Sequence, residues 1–491
     1  MNNSLKIKSV EMRNLIIALF AILLIWPLQA QEIKKSKLKV LYVAQNPERP
    51  DGYTFGGSRE LWQSLKKDRP QDFYQFFQKY FETVTMVYGE EYTEELSDKH
   101  DVTVFDALIP QTDGQMPEVY NNHNRPDYFS EDYDAATVLI AGVGGALTGN
   151  MQLKIDWLCN CLYSHAFDYD KEHPIFNTPY KVALTLEKQK HKGGVFHYYS
   201  GKDAPKEALM WRVQNVDHLE GYPPGIVSNP GFGDSPDAEK ISGGPCIKSI
   251  KATALGRHGN FFQWGYRASP MHLTEEGKLA LINAIHYMAQ FKGQKPFVKR
   301  SASHRLVALD EVYKVSDKGY ADEMKFAQRM HGDVNAAKAR ELAGKSNQFD
   351  KYTLNRDSKF PDRTRHLANV PKEIIEKYVD DWNAYLKYYE DNVGFLGLSE
   401  PKEIYGHKYF DIIIDKDLQK LGIANNDMQL LETCVSMLET SEKDIAQKLL
   451  EKYTTEEFTT SKEWKKWYKK NKEKLFFTER GGYKWMVNQL K

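Results

Sequence analysis

The sequence predicts an α/β domain built on a mostly parallel sheet, followed by an α-helical C-terminal region. Three observations lead there. Short β-rich runs alternate with helical patterns across residues 36–296. The run Thr137-Val138-Leu139-Ile140-Ala141 has no polar alternation, as expected of a strand buried on both faces. After Pro296 such runs give way to amphipathic helical patterns. The expected organisation is an export signal over 1–30, the α/β domain over 36–296, a partly helical connector over 297–370 and a helical region over 371–491.

The first segment carries Lys6, Lys8 and Arg13, then an apolar run from Leu15 to Trp26, then Pro27-Leu28-Gln29-Ala30. A positive start, a short apolar middle and a small residue at the cut read as a secretory signal peptide. The run falls short of the ~20 residues that span a bilayer, and a helix-breaking proline follows it; an uncleaved anchor is the alternative. An exported protein, periplasmic or secreted, with no stable membrane span after cleavage is therefore expected. No cysteine precedes Cys159, so the cut site offers none for a lipid anchor.

Within the α/β domain, residues 38–44 form a β-rich run that ends at the turn-forming Asn46-Pro47. Phe73, Phe76, Phe77, Tyr80 and Phe81 recur at helical spacing. Val84 to Tyr88 and Val102 to Leu108 read as further strands. Gly142-Val143-Gly144-Gly145 follows the 137–141 strand, with a helix expected from about Thr148. Lys181 to Leu186 reads as another strand. Lys251 to Arg257 and Phe261 to Tyr266 read as a pair joined by His258-Gly259-Asn260, which suits a tight turn. Thr274 is placed to cap a helix carrying Leu279, Ile282, Ile285 and Met288 on one face. Beyond the connector, helices are expected over 371–391, from Met428 to Leu438, from Ile445 to Tyr453 and from Ser461 to Lys474.

Composition excludes some partners. The chain has 67 basic and 67 acidic residues and no formal net charge. The first 30 residues hold three basic groups and one acidic group, which leaves the remainder slightly acidic. That balance argues against a nucleic-acid partner. Four cysteines, Cys159, Cys161, Cys246 and Cys434, are too few for a disulfide scaffold and allow three pairings.

In an open α/β sheet, ligands bind beyond the carboxyl ends of the strands. That rule selects Asn46, Gly142, Gly144, Trp264, Arg267 and His272 as ligand-binding candidates. Gly142 and Gly144 would let backbone N–H groups approach an anion, or simply make a tight strand-to-helix turn. Trp264 would stack on a ring or, by strand alternation, be buried. No phosphate-loop lysine follows Gly142, no dinucleotide fingerprint is present, and no cofactor is expected. Cys159, Cys161 and His165 resemble a metal cluster in spacing. On a helix, however, the two cysteines would point about 200° apart, so a packed helix is the expected reading and no metal site is assigned. Asp234 and Glu239 lie in a Gly/Pro-rich stretch, Asn229 to Pro245, read as a long loop. Trp464 and Trp467 on the lysine-rich final helix read as a core-facing stripe beneath a solvated face.

The segments 234–239, Ile241-Ser242-Gly243-Gly244 and Leu255-Gly256-Arg257-His258-Gly259-Asn260-Phe261-Phe262-Gln263-Trp264-Gly265 resemble exported bacterial ThuA-like (trehalose-utilisation) proteins of the class I glutamine amidotransferase-like superfamily. The resemblance covers residues 36–296. Residues 407–491, ending Arg480-Gly481-Gly482-Tyr483, resemble the C-terminal region that often accompanies that domain. The resemblance implies a flavodoxin-like three-layer fold and a link to sugar metabolism, and the expected function is to bind or act on a carbohydrate-derived small molecule. It does not carry amidotransferase activity, because the elbow 142–146 lacks the cysteine nucleophile of those enzymes. The alternative is a non-catalytic envelope scaffold that docks a protein partner through its C-terminal helices.

Overall fold

A computed structural model of the chain describes residues 34–49, 59–117, 126–155, 157–190, 196–200, 205–217, 220–246, 248–331, 372–379, 381–400, 402–404, 407–409 and 411–490. The expected export signal lies outside the described residues, as does most of the loop after Asn46.

The core of the α/β domain is a mixed central sheet. Strands β1 (Ser36–Ala44), β2 (Phe81–Tyr88), β3 (Val102–Phe105), β4 (Thr137–Ile140) and β12 (Phe261–Trp264) run parallel in the order β2-β1-β3-β4-β12. Beyond β12 the sheet continues antiparallel through β11 (Thr253–His258), β10 (Ala238–Gly243), β6 (His165–Tyr169), β8 (Glu207–Arg212) and β7 (Leu186–Lys190). Strand β5 (Trp157–Leu162) pairs with β9 (Gly225–Ser228), which touches β11 at Thr253.

The parallel strands are apolar on both faces because both faces are covered. Val40, Tyr42, Val104, Val138, Ile140, Phe262 and Trp264 share one core with Phe73, Phe77 and Tyr80 of the Arg59–Tyr80 helix and Ala280 to Met288 of the Glu275–Met288 helix. Leu41, Val43, Phe105, Leu139 and Phe261 face the other way, toward Tyr92, Phe129, Tyr133, Leu147 and Ile155. Short elements and loops supply that second cover. The Glu275–Met288 helix is capped as its sequence suggests: Thr274 accepts from the Gly277 N–H at 3.0 Å.

Several expectations are corrected. The helix after β4 is Gly142–Leu147, and Thr148 ends it rather than starting it. Residues 157–169 are strands β5 and β6 rather than a packed helix, because pairing with β9, β10 and β8 overrides the local pattern. The strand expected at 181–186 lies one step later, at β7. The stretch 229–245 contains β10, which sits between β11 and β6, so it is not one long loop.

The connector holds two helices, Arg305–Val315 and Asp317–His331, and 332–371 lies outside the described residues. The single helix expected over 371–391 is two, Lys372–Tyr378 and Trp382–Asp391; the Asp381 carboxylate restarts the second by accepting the Ala384 N–H at 2.9 Å. The C-terminal helices Gln429–Met437, Lys443–Tyr453 and Ser461–Asn471 fall close to the expected positions. They are joined by antiparallel ladders that the sequence reading did not anticipate: Leu396–Leu398 with Ile412–Ile414, Lys402–Ile404 with His407–Tyr409, and Leu475–Thr478 with Lys484–Val487. Trp464 and Trp467 are buried against Phe458 in this unit's own core.

Candidate functional site

A buried ion pair lies at the carboxyl ends of the parallel strands. Arg69, on the Arg59–Tyr80 helix, holds Asp106, just past β3, in a two-point contact: Nε to Oδ2 at 2.6 Å and Nη2 to Oδ1 at 2.8 Å. The Tyr42 hydroxyl donates to Asp106 at 3.2 Å, and Arg69 Nη1 donates to the Arg267 carbonyl at 2.7 Å. Burial raises the Tyr42 phenol well above its usual range, and the Asp106 charge adds to this, so it stays a donor. Burial works against the Arg69 cation, but Asp106 outweighs it and the guanidinium is held charged.

Among the described residues, the six selected from the sequence are engaged by the fold as follows. Asn46 closes its own turn: its amide donates to Glu90 and its oxygen accepts the Glu48 N–H at 3.0 Å. Gly142 and Gly144 are buried within their short helix. Trp264 is 0 % exposed and packs edge-on against Tyr266, so its indole belongs to the core rather than to a ligand. Arg267 is buried and donates to the Pro224 carbonyl at 3.1 Å. His272 is half-buried, its ring 5.8 Å from that of Tyr222. Ala141 sits at the strand-to-helix elbow with φ 50° and ψ −131°, a strained conformation for a residue with a Cβ. The strained position of this strand-to-helix turn is thus Ala141, one residue before the 142–146 stretch expected to form it, and its side chain is a methyl group.

The conspicuous 234–260 residues have a structural task at the opposite end of the sheet. Asp234 accepts from Lys154, from the Thr478 hydroxyl at 3.1 Å and from the Arg480 N–H at 2.8 Å. Asp237 accepts the Phe297 and Val298 N–H groups at 2.8 and 3.0 Å and lies 3.3 Å from His258 Nε2. His258 Nδ1 accepts the Lys154 N–H at 3.1 Å. Glu239 gathers Arg257 and the Tyr287 hydroxyl, the latter at 2.6 Å. These contacts tie the hairpin, the Glu275–Met288 helix and the C-terminal region together.

A different pocket is open. It lies beside the tight β5–β6 connection, has a volume of about 290 Å³, and is lined in part by Ser164, His165, Lys190, Arg212, Asn215 and Asp217. Sheet pairing assembles it. His165 begins β6 opposite Arg212 at the end of β8, and Glu187 of the edge strand β7 lies diagonal to Arg212 on the same face. Ser164 Oγ is 3.0 Å from His165 Nδ1; His165 Nε2 is 2.8 Å from Glu187 Oε1. Arg212 Nε donates to the same Glu187 oxygen at 2.9 Å. The Ser164 N–H donates to Asp217 at 2.9 Å. With a carboxylate against Nε2, the neutral imidazole carries its proton there and leaves Nδ1 to accept the Ser164 hydroxyl. Burial lowers the His165 pKa from its usual 6.5 and so favours the neutral ring, while Glu187 pulls the other way. The Arg212 and His165 hydrogen bonds hold the Glu187 carboxyl at about 2.

The pocket adjoins the expected strand-end loop: the Asn215 N–H donates to the His272 carbonyl at 2.7 Å and the Tyr266 hydroxyl to the His165 carbonyl at 3.0 Å. Sequence reasoning missed the rest because Ser164 and His165 sat in a segment read as helical and their partners come from later strands. Among the described residues, no group of three or more His, Cys, Asp or Glu is placed to hold a metal ion. Cys161 is disulfide-bonded; Cys246 and Cys434 are free and buried.

No protein-family model and no curated protein matches the chain.

Proposed function

We propose that this is an exported, ThuA-like protein of the class I glutamine amidotransferase-like superfamily, and that it binds a small carbohydrate-derived molecule in the Ser164–Arg212 pocket. The observation that carries the binding site is the pocket itself. It is large enough for one small molecule and presents hydroxyl, imidazole, guanidinium, ammonium and carboxylate groups from converging strands. A polyhydroxylated ligand needs that mixture of donors and acceptors. The flavodoxin-like assignment is supported by the parallel order β2-β1-β3-β4-β12, which follows the 2-1-3-4-5 pattern of that fold. Export is supported by the signal-like N-terminus and by the disulfide at Cys161, since disulfides persist in oxidising compartments. Among the described residues, no helix is long and apolar enough to cross a membrane.

A thermal-shift screen against neutral mono- and disaccharides and sugar acids tests the reading. A ligand at ~100 times its dissociation constant adds ~2.7 kcal/mol to the folded state. A shift with one class in the wild type, lost in Arg212→Ala, is the expected result. No shift across the panel overturns it in favour of a second reading, a non-catalytic envelope scaffold. That second reading draws on the methyl group at the Ala141 elbow and on the exposed Lys462, Lys466, Lys469 and Lys470 of the last helix, a face suited to an acidic protein partner.

A further inference from the structure

We propose that Ser164 is a nucleophile, activated by His165 and Glu187, and that the pocket hydrolyses a short acyl ester of a small polar alcohol. The proposal rests on the reading of this pocket as a ligand site and adds a reaction to it.

The hydrogen-bond chain has the polarity that an activated serine needs. Its hydroxyl faces the accepting nitrogen of His165 at 3.0 Å, and the other ring nitrogen faces Glu187 at 2.8 Å. The nitrogens are used in the reverse of the commonest order, with Nδ1 toward serine. The requirement is a base within hydrogen-bond reach and a carboxylate that fixes its tautomer, and both are met. Glu187 is in turn held by Arg212 Nε at 2.9 Å and by Gln189 Nε2 at 3.1 Å, so the positioning carboxylate has fixed partners. Ser164 and His165 both line the cavity, so the chain ends at a space a substrate can enter. Lys190 and Arg212 line the same cavity and give it positive charge, which favours a developing oxyanion.

The steps balance. Ser164 Oγ attacks the ester carbonyl carbon while its proton passes to His165 Nδ1. The carbon–oxygen bond to the alcohol breaks, and the departing oxygen takes that proton. Water then attacks the acyl-serine, gives a proton to Nδ1, and Ser164 Oγ leaves with it. The products are the free alcohol and a carboxylic acid. Glu187 positions and stabilises the imidazolium throughout and takes no proton.

The test is covalent labelling of the purified protein with an alkyl fluorophosphonate, read by intact mass and peptide mapping. One adduct at Ser164 is expected. It should vanish in Ser164→Ala and form at least ~100-fold more slowly in His165→Gln, with melting curves confirming that each variant is folded. Glu187→Gln supplies a readout that a merely structural role would not move. The charged groups facing His165 are Glu187, Arg212 and Asp217. Removing the Glu187 charge should shift the acid limb of the labelling rate to lower pH as well as slow it. A folded wild type that forms no adduct at Ser164, or an adduct whose rate ignores His165→Gln, overturns the proposal. If sugars still stabilise the protein in that case, only the nucleophile falls; if they do not, the pocket reading falls with it.

Discussion

Arg69 and Asp106 show what a residue at a strand end does when it is not free for a ligand. Their side chains are 2 % and 3 % exposed, and each is the other's main counter-charge. Breaking such a pair strands a buried charge, which costs about 3–5 kcal/mol, whereas replacing both with apolar groups costs far less. Arg69→Met should therefore lower the midpoint of chemical denaturation by an amount in that range, and Arg69→Met with Asp106→Leu should recover much of it. A single variant as stable as the wild type would show that Asp106 finds another partner. Neither residue stood out in the sequence, because an arginine in a helix and an aspartate after a strand are ordinary. Trp264 and Arg267 did stand out as ligand contacts, but β12 is covered on both faces, which buries the first, and the Pro224 carbonyl engages the second.

Elements meet where side chains are absent. Gly265 follows β12, where its N–H donates to the Ala254 carbonyl at 2.8 Å and its carbonyl accepts the Ile226 N–H at 2.8 Å. A Cβ there would lie 2.4 Å from the Ile226 oxygen and 2.7 Å from the Ala254 oxygen, both backbone atoms that cannot swing away. Gly265→Ala should cost about 1–3 kcal/mol, measured as a lower melting temperature, and unchanged melting would mean that β9 can retreat from β11. The β1, β4 and Glu275–Met288 elements were legible because burial on both faces, or a cap followed by an apolar stripe, leaves a local pattern. Strands β5 and β6 were not. Trp157 to His165 carries no alternation that separates strand from helix, and partners from residues 207–243 made the choice.

Across the whole molecule, protonation couples to folding. Burial lowers the pKa of His165, His258, His286 and His304 below the usual 6.5. Unfolded imidazoles therefore take up protons near pH 6.5 that folded ones refuse, and acidification through that range favours unfolding. Asp310 works the other way: burial raises it to about 6, so the folded state gains a proton there first. Glu187 and Glu239, both at about 2, keep their contributions until the pH falls below about 4.5. The denaturation midpoint should fall between pH 6.5 and 5, more steeply in Asp310→Asn. A midpoint that rises on acidification would contradict this balance.

The same scale separates what the sequence determines from what only the tertiary structure decides. Local chemistry determines the signal-like start, the apolar strands of a parallel sheet, the Thr274 cap and the amphipathic C-terminal helices, because each is written within a dozen residues. The candidate site was decided by pairing. Ser164 and His165 meet Glu187 and Arg212 only because β6, β8 and β7 lie side by side, although β7 precedes β8 in the chain. Likewise, Asp234 and Asp237, in a stretch read as one long loop, clasp Phe297, Val298, Thr478 and Arg480 once the chain returns from far away. Hydrogen-bond partners that are distant in sequence leave no local period, so the difference between a functional cluster and a structural clasp appears only when the chain is folded.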